Sequence, residues 1–161
     1  MRMSEKELAE LVRKNPNIRI RADPVKVINK YRNIKLYEHE DGAILEYRDV
    51  AGHGRVTDVY DSKREYDRWR ALQLLERAGE ISGLRRQVTL RIQDGFTCKG
   101  EKIHPIGYKA DFVYSSKDGK KVVEDVKAFD EKTGKYRCTT DFTLKWKLLK
   151  SKYPEYNFVL Y

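Results

Sequence analysis

Between Asp61 and Tyr161 the apolar residues switch from helical spacing to strand alternation and back, twice over, and few folds accept the order that results. DSKREYDRWRALQLLERA, from Asp61 to Ala78, has helical spacing, with Gly79 placed to cap its end. RRQVTLRIQ alternates as a strand does. YKADFVYSS and KKVVEDVKAF then read as two strands joined around Asp118-Gly119. TTDFTLKWKLLKSKY is a second amphipathic helix stopped by Pro154, and YNFVLY is a last strand. The order is helix, three strands, helix, strand, which predicts an α/β domain.

The region before this core is less regular. Ser4-Glu5-Lys6-Glu7 has the form of a capping box opening a short helix that ends near Pro16. Residues 17–33 are basic and without pattern. IKLYEHEDGAILEYRDV suggests two short strands with Asp41-Gly42 as a hairpin turn, followed by Gly52-His53-Gly54 as a loop. One domain over 1–161 is expected: 1–33 as a basic N-terminal extension, 34–58 as a candidate insertion and 59–161 as the core. A chain of 161 residues buries roughly 70% of its unfolded surface in one core.

Several acids sit where that core would place apolar groups. Glu65, Trp69 and Leu72 lie at i, i+4 and i+7, so the first long helix carries a carboxylate in line with its apolar stripe. Ser62-Lys63-Arg64-Glu65 is also a capping box, in which Glu65 would only bond back to the backbone. In VVEDVK, Asp125 and Lys127 share one strand face and Glu124 and Val126 the other. The turn decides their partners. With Lys117-Asp118-Gly119 as a three-residue loop, Asp111 falls opposite Asp125. With a two-residue turn at Asp118-Gly119, Asp111 shares a face with Glu124. In either register two neighbouring carboxylates resist ionisation unless a cation neutralises them, and an oxygen-ligated divalent ion such as Mg²⁺ suits that need.

Charge points to the partner. Lys and Arg number 34 against 25 Asp and Glu, a net charge of +9, and the pI is near 9.4, which favours nucleic acid or an anionic surface. Residues 117–152 alone hold eleven basic against six acidic residues. No apolar run reaches the ~20 residues of a membrane span, and MRMSEKELAE lacks the apolar stretch of a signal peptide, so an intracellular protein is expected. Cys98, Cys138, His39, His53 and His104 show no metal-ligand spacing. Trp69 and Trp146 read as core. Lys145, Lys147 and Lys150 interleave with Phe142, Trp146 and Leu149, either as a solvated helix face or as a phosphate-binding one. Tyr136 and Arg137, in the loop after Phe129, are further candidates for DNA contact.

An acid on a helix, then Asp111, then Asp125-Val126-Lys127 across a hairpin, in αβββαβ order, resembles the PD-(D/E)XK nuclease superfamily. YDSKREYDRWRALQLLERAGEISGLRRQ, with YKADFVY and VVEDVKAF, more narrowly resembles small phage-encoded nucleases often compared with Holliday junction resolvases. The resemblance spans about Val59 to Tyr161. It implies a restriction-endonuclease-like fold with a mixed central sheet flanked by helices, and a Mg²⁺-dependent DNA endonuclease in which Mn²⁺ can substitute. It further implies catalytic roles for Glu65, Asp111, Asp125 and Lys127, with Glu124 as a reserve metal ligand, and DNA contacts at Lys63, Gln87, Lys145 and Lys147. Branched DNA, a homodimer, and a cytoplasmic setting in a phage-infected or ordinary bacterium follow from the same likeness. A nicking or non-specific nuclease, and a binding module that cleaves nothing, are the alternatives. Ala110 stands where the superfamily's proline would precede Asp111.

Overall fold

The structure, a computed structural model, describes residues 33–161. The helix expected from the Ser4–Glu7 capping box, and the basic extension through residue 32, lie outside those residues. The chain divides into two compact units, Met1–Val59 and Tyr60–Tyr161.

In the first unit, β1 (Leu36–His39) pairs antiparallel with β2 (Ile44–Leu45). The expected turn is there: Gly42 has φ +85°, and the Gly42 and His39 amides donate to the His39 and Ala43 carbonyls at 2.9 Å each. Gly52 and His53 are not loop, because one helical turn, α1 (Val50–His53), forms where the Asp49 carboxylate accepts from the Gly52 amide at 2.9 Å. A strand unforeseen in the sequence, β3 (Val56–Tyr60), completes a sheet of order β2-β1-β3.

The second unit opens with α2 (Lys63–Arg77), capped by the Ser62 hydroxyl. At its other end the Gly79 amide donates to Glu76 and the Glu80 amide to Leu75, a Schellman motif that the left-handed Gly79 (φ +74°) permits. The strands β4 (Ile81–Gln93), β7 (Ile106–Ser116) and β8 (Lys121–Asp125) follow, with a small hairpin, β5 (Phe96–Cys98) and β6 (Glu101–Ile103), inserted before β7. Next come a second hairpin, β9 (Phe129–Asp130) with β10 (Lys135–Tyr136), then α3 (Thr140–Lys152) and β11 (Asn157–Leu160). The central sheet has the order β11-β8-β7-β4. Its β4–β7 and β7–β8 pairs are antiparallel and its β8–β11 pair is parallel, the parallel return requiring the crossover that α3 supplies.

Each helix covers one apolar cluster. Leu72 and Trp69 of α2 pack with Phe112, Tyr114, Val122 and Ile81, Trp69 stacking on Phe112. Phe142, Trp146 and Leu149 of α3 pack with Ala110, Val113 and Val123. Both tryptophans are therefore core. The expected strand KKVVEDVKAF is shorter than its apolar pattern. β8 ends at Asp125, because the Val126 amide is taken by the Asp111 carboxylate (2.8 Å), and Phe129 belongs to a separate hairpin.

Candidate functional site

The hairpin register sets the site. Ser115 pairs with Lys121 and the Ser116 amide donates to the Lys120 carbonyl (2.9 Å), so Lys117-Asp118-Gly119 is a three-residue loop with Gly119 at φ +81°. Phe112 then faces Glu124, and one further step brings Asp111 opposite Asp125. Glu124 is turned away, so the register that would make it the reserve ligand is not the one formed. Glu124 is fully buried on the α2 side, where Arg68 grips it through Nε (2.5 Å) and Nη2 (2.9 Å) and the Tyr114 hydroxyl donates at 2.8 Å.

Glu65 performs two tasks. Its amide donates to the Ser62 hydroxyl (3.1 Å), and its Oε2 accepts from the Asp61 amide (3.0 Å) rather than from that of Ser62. Its Oε1 faces the sheet, accepting from Arg86 Nη2 (3.3 Å) and Gln87 Nε2 (3.2 Å). The same Gln87 nitrogen donates to Asp111 Oδ1 at 3.3 Å. Gln87, expected at the DNA surface, thus links the helical acid to the strand acid. Asp125 accepts from the Tyr108 hydroxyl and forms an ion pair with Lys127, whose ammonium lies 4.3 Å from the centre of the Phe142 ring.

Two of these contacts have no signal in the sequence. Consecutive strand residues should point to opposite faces, yet Arg86 and Gln87 both reach Glu65 Oε1. Gln87 has φ +53°, a left-handed conformation inside a strand, and that twist breaks the alternation. Arg86 is held in place by its guanidinium lying 4.0 Å from the Tyr60 ring centre and 5.3 Å from that of Trp69. Tyr108 was equally invisible, an ordinary strand tyrosine until its hydroxyl meets Asp125.

The electrostatics follow from burial. Desolvation, then the charge of Asp111, raises the Glu65 pKa. Desolvation also raises that of Asp111, opposed by the Val126 amide and Lys127 and reinforced by Asp61. Burial lowers the Lys127 pKa, opposed chiefly by Asp111, and raises that of Tyr108. Glu65, Asp111 and Asp125, with Asp61 near, stand against Arg86 and Lys127, so negative charge exceeds positive in a desolvated cleft. An all-oxygen donor set of that charge suits a hard divalent cation. Among the described residues, however, no three His, Cys, Asp or Glu side chains come together as a ready cluster. Asp125 is committed to Lys127 and Tyr108 instead.

The remaining candidates lie outside this cleft. Lys63 is paired with Asp67 (2.5 Å) and Lys145 with Asp141 (3.1 Å), each one helical turn away, while Lys147 is exposed. Among the described residues no helix is long and apolar enough to cross a membrane. Residues 48–160 match one family model, described as a protein of unknown function (DUF1064). Comparison with curated proteins and comparison with solved structures each returned no match.

Proposed function

The chain belongs to the DUF1064 family, and we propose that it is a metal-dependent DNA endonuclease with a restriction-endonuclease-like core. One observation carries this: Glu65 from a helix and Asp111 from a strand meet through Gln87, beside an Asp125–Lys127 pair at the end of the next strand. A surface that only bound DNA would gain nothing from buried carboxylates.

Asp111 and Asp125 would hold the cation, Mg²⁺ or Mn²⁺, with Glu65 completing the set. When bound, such an ion polarises the scissile phosphate and lowers the pKa of a coordinated water. Gln87 and Arg86 orient the Asp111 and Glu65 carboxylates. Lys127, whose hold on its proton burial weakens, directs the attacking water and stabilises charge on the phosphate oxygens. Tyr108 and Lys127 each hold one oxygen of Asp125, so its share of the cation would be through a lone pair that those contacts leave. Exposed lysines such as Lys147 bind backbone phosphates without reading bases. We place the substrate among branched DNAs, processed in the bacterial cytoplasm.

The test is cleavage of supercoiled plasmid with Mg²⁺ and with EDTA, for the parent protein and for Asp111→Ala, Asp125→Ala and Lys127→Ala, each checked for folding by circular dichroism. Cleavage should need the cation and fall on the order of 100-fold or more in each variant. Full activity in EDTA, or parental rates for Asp111→Ala, would discard the assignment. Retained DNA binding without cleavage would select the non-catalytic alternative.

A further inference from the structure

Two residues beyond Lys127 the chain forms the β9–β10 hairpin, whose two-residue strands make a sheet of their own. Tyr136 pairs with Phe129, and their rings meet edge to face with centroids 5.1 Å apart, yet Phe129 remains 44% exposed. An aromatic that large, left in water on so small an element, is not explained by core packing.

The hairpin is stiff through polar contacts of its own. Asp130 Oδ1 accepts from the amides of Lys132 (3.0 Å) and Thr133 (3.3 Å), and its Oδ2 takes the Arg137 guanidinium (3.1 Å). The Gly134 amide returns to the Asp130 carbonyl and the Arg137 amide to the Ala128 carbonyl, each at 2.8 Å. The aromatic pair therefore keeps its shape before any partner arrives, which removes an ordering cost from binding. Lys132 and Lys135, both exposed, hold no ion pair among the described residues and leave positive charge on the same hairpin.

We propose that this hairpin is a stacking platform for an unpaired base of the DNA strand beside the cleavage site, making duplexes that open into single strands the favoured substrate. It rests on the nuclease reading for its place in the reaction. The physical reason is simple: inside a continuous duplex both faces of a base are already stacked, whereas an unpaired base at a fork presents a free face to Phe129. Base–aromatic stacking of this kind is worth roughly 5- to 150-fold in affinity, the ~1–3 kcal/mol typical per base.

Binding can be measured apart from cleavage, in EDTA, with the full chain. A forked DNA carrying 2-aminopurine as the first unpaired base is compared with a continuous duplex of matched sequence, using the parent, Phe129→Leu and Phe129→Trp. The parent should quench the 2-aminopurine and prefer the fork. Phe129→Leu should lose the quenching and about five-fold or more of the preference, with duplex affinity within about two-fold of the parent, and Phe129→Trp should keep both. No quenching by the parent, or equal weakening on both DNAs in Phe129→Leu, overturns the platform. The Mg²⁺ cleavage assay reports separately: quenching without cleavage removes the nuclease assignment and leaves the platform, while cleavage indifferent to Phe129 does the reverse.

Discussion

Asp111 shows at one residue what the site demands. Desolvation of its half-buried carboxylate and the nearby charge of Asp61 raise its pKa above the usual 3.8, although the Val126 amide, Lys127 and Gln87 oppose the rise. A folded carboxyl with a raised pKa binds its proton more tightly than the unfolded chain does. Stability that it contributes is therefore present at low pH and is lost as pH rises through the folded value. Asp111→Asn cannot titrate. In EDTA, its melting temperature relative to the parent should thus move in the variant's favour, by a few degrees, between pH 4 and pH 8. Thermal melts across that range check this, and a difference that stays flat or runs the other way would show that Asp111 does not carry the burden. The left-handed Gln87 is a companion cost, since a non-glycine residue held there stores on the order of 1–3 kcal/mol. Strain and buried charge in one cleft are what a working site accepts and a scaffold avoids.

At the scale of elements, α2 is docked on β8 by Arg68 and Glu124. Arg68 also lies 4.2 Å from the centre of the Tyr161 ring, and the Tyr161 backbone pairs with Asp125 and Lys127 (3.0 and 2.9 Å). One buried pair thus ties the helix bearing Glu65 to the strand bearing Asp125. Buried ion pairs contribute little net stability but impose a geometry that apolar contacts do not. Glu124→Leu alone should destabilise by roughly 3–5 kcal/mol by stranding Arg68, whereas Arg68→Met with Glu124→Leu should recover most of that stability. Cleavage should stay depressed about ten-fold or more in the double variant, because the carboxylates are no longer held in register. Chemical denaturation and plasmid cleavage on the same samples decide it: a double variant that regains both would make the pair merely structural.

For the whole molecule, a charge of +9 would dominate the encounter with the DNA proposed as its substrate. If about four phosphates are contacted, affinity should fall roughly 100-fold between 50 and 200 mM salt. The measurement is a titration of the parent protein, in EDTA, against a four-way junction and a linear duplex. A flat salt dependence would remove the electrostatic reading. Paired cuts across a junction suit a twofold assembly of two chains. Its solution mass, with cleavage of junction, flap and duplex compared, tests that proposal, and a monomer cutting all three alike would sink it.

The order of the two long helices and the four central-sheet strands in the second unit was legible because each one's apolar period is a local property of the chain, whereas the short β5–β6 and β9–β10 hairpins left no such period. Glu65 was legible as an acid on an apolar stripe, and the pairing of Lys127 with Asp125 was legible too, although the strand expected to carry both ends at Asp125. The hairpin register was not, since two turns of nearly equal plausibility send Asp111 to different partners. Gly119 and the Ser116–Lys120 pairing settled it, and with it the exile of Glu124 to Arg68. Arg86 and Tyr108 could not be read at all. Arg86 belongs to the cleft only because Gln87 twists out of strand geometry, and Tyr108 only because the sheet brings its hydroxyl to Asp125. Periodicity records which face a residue takes in an ideal element. Which side chains finally touch depends on bulges, register and burial, and those exist only once distant segments have packed.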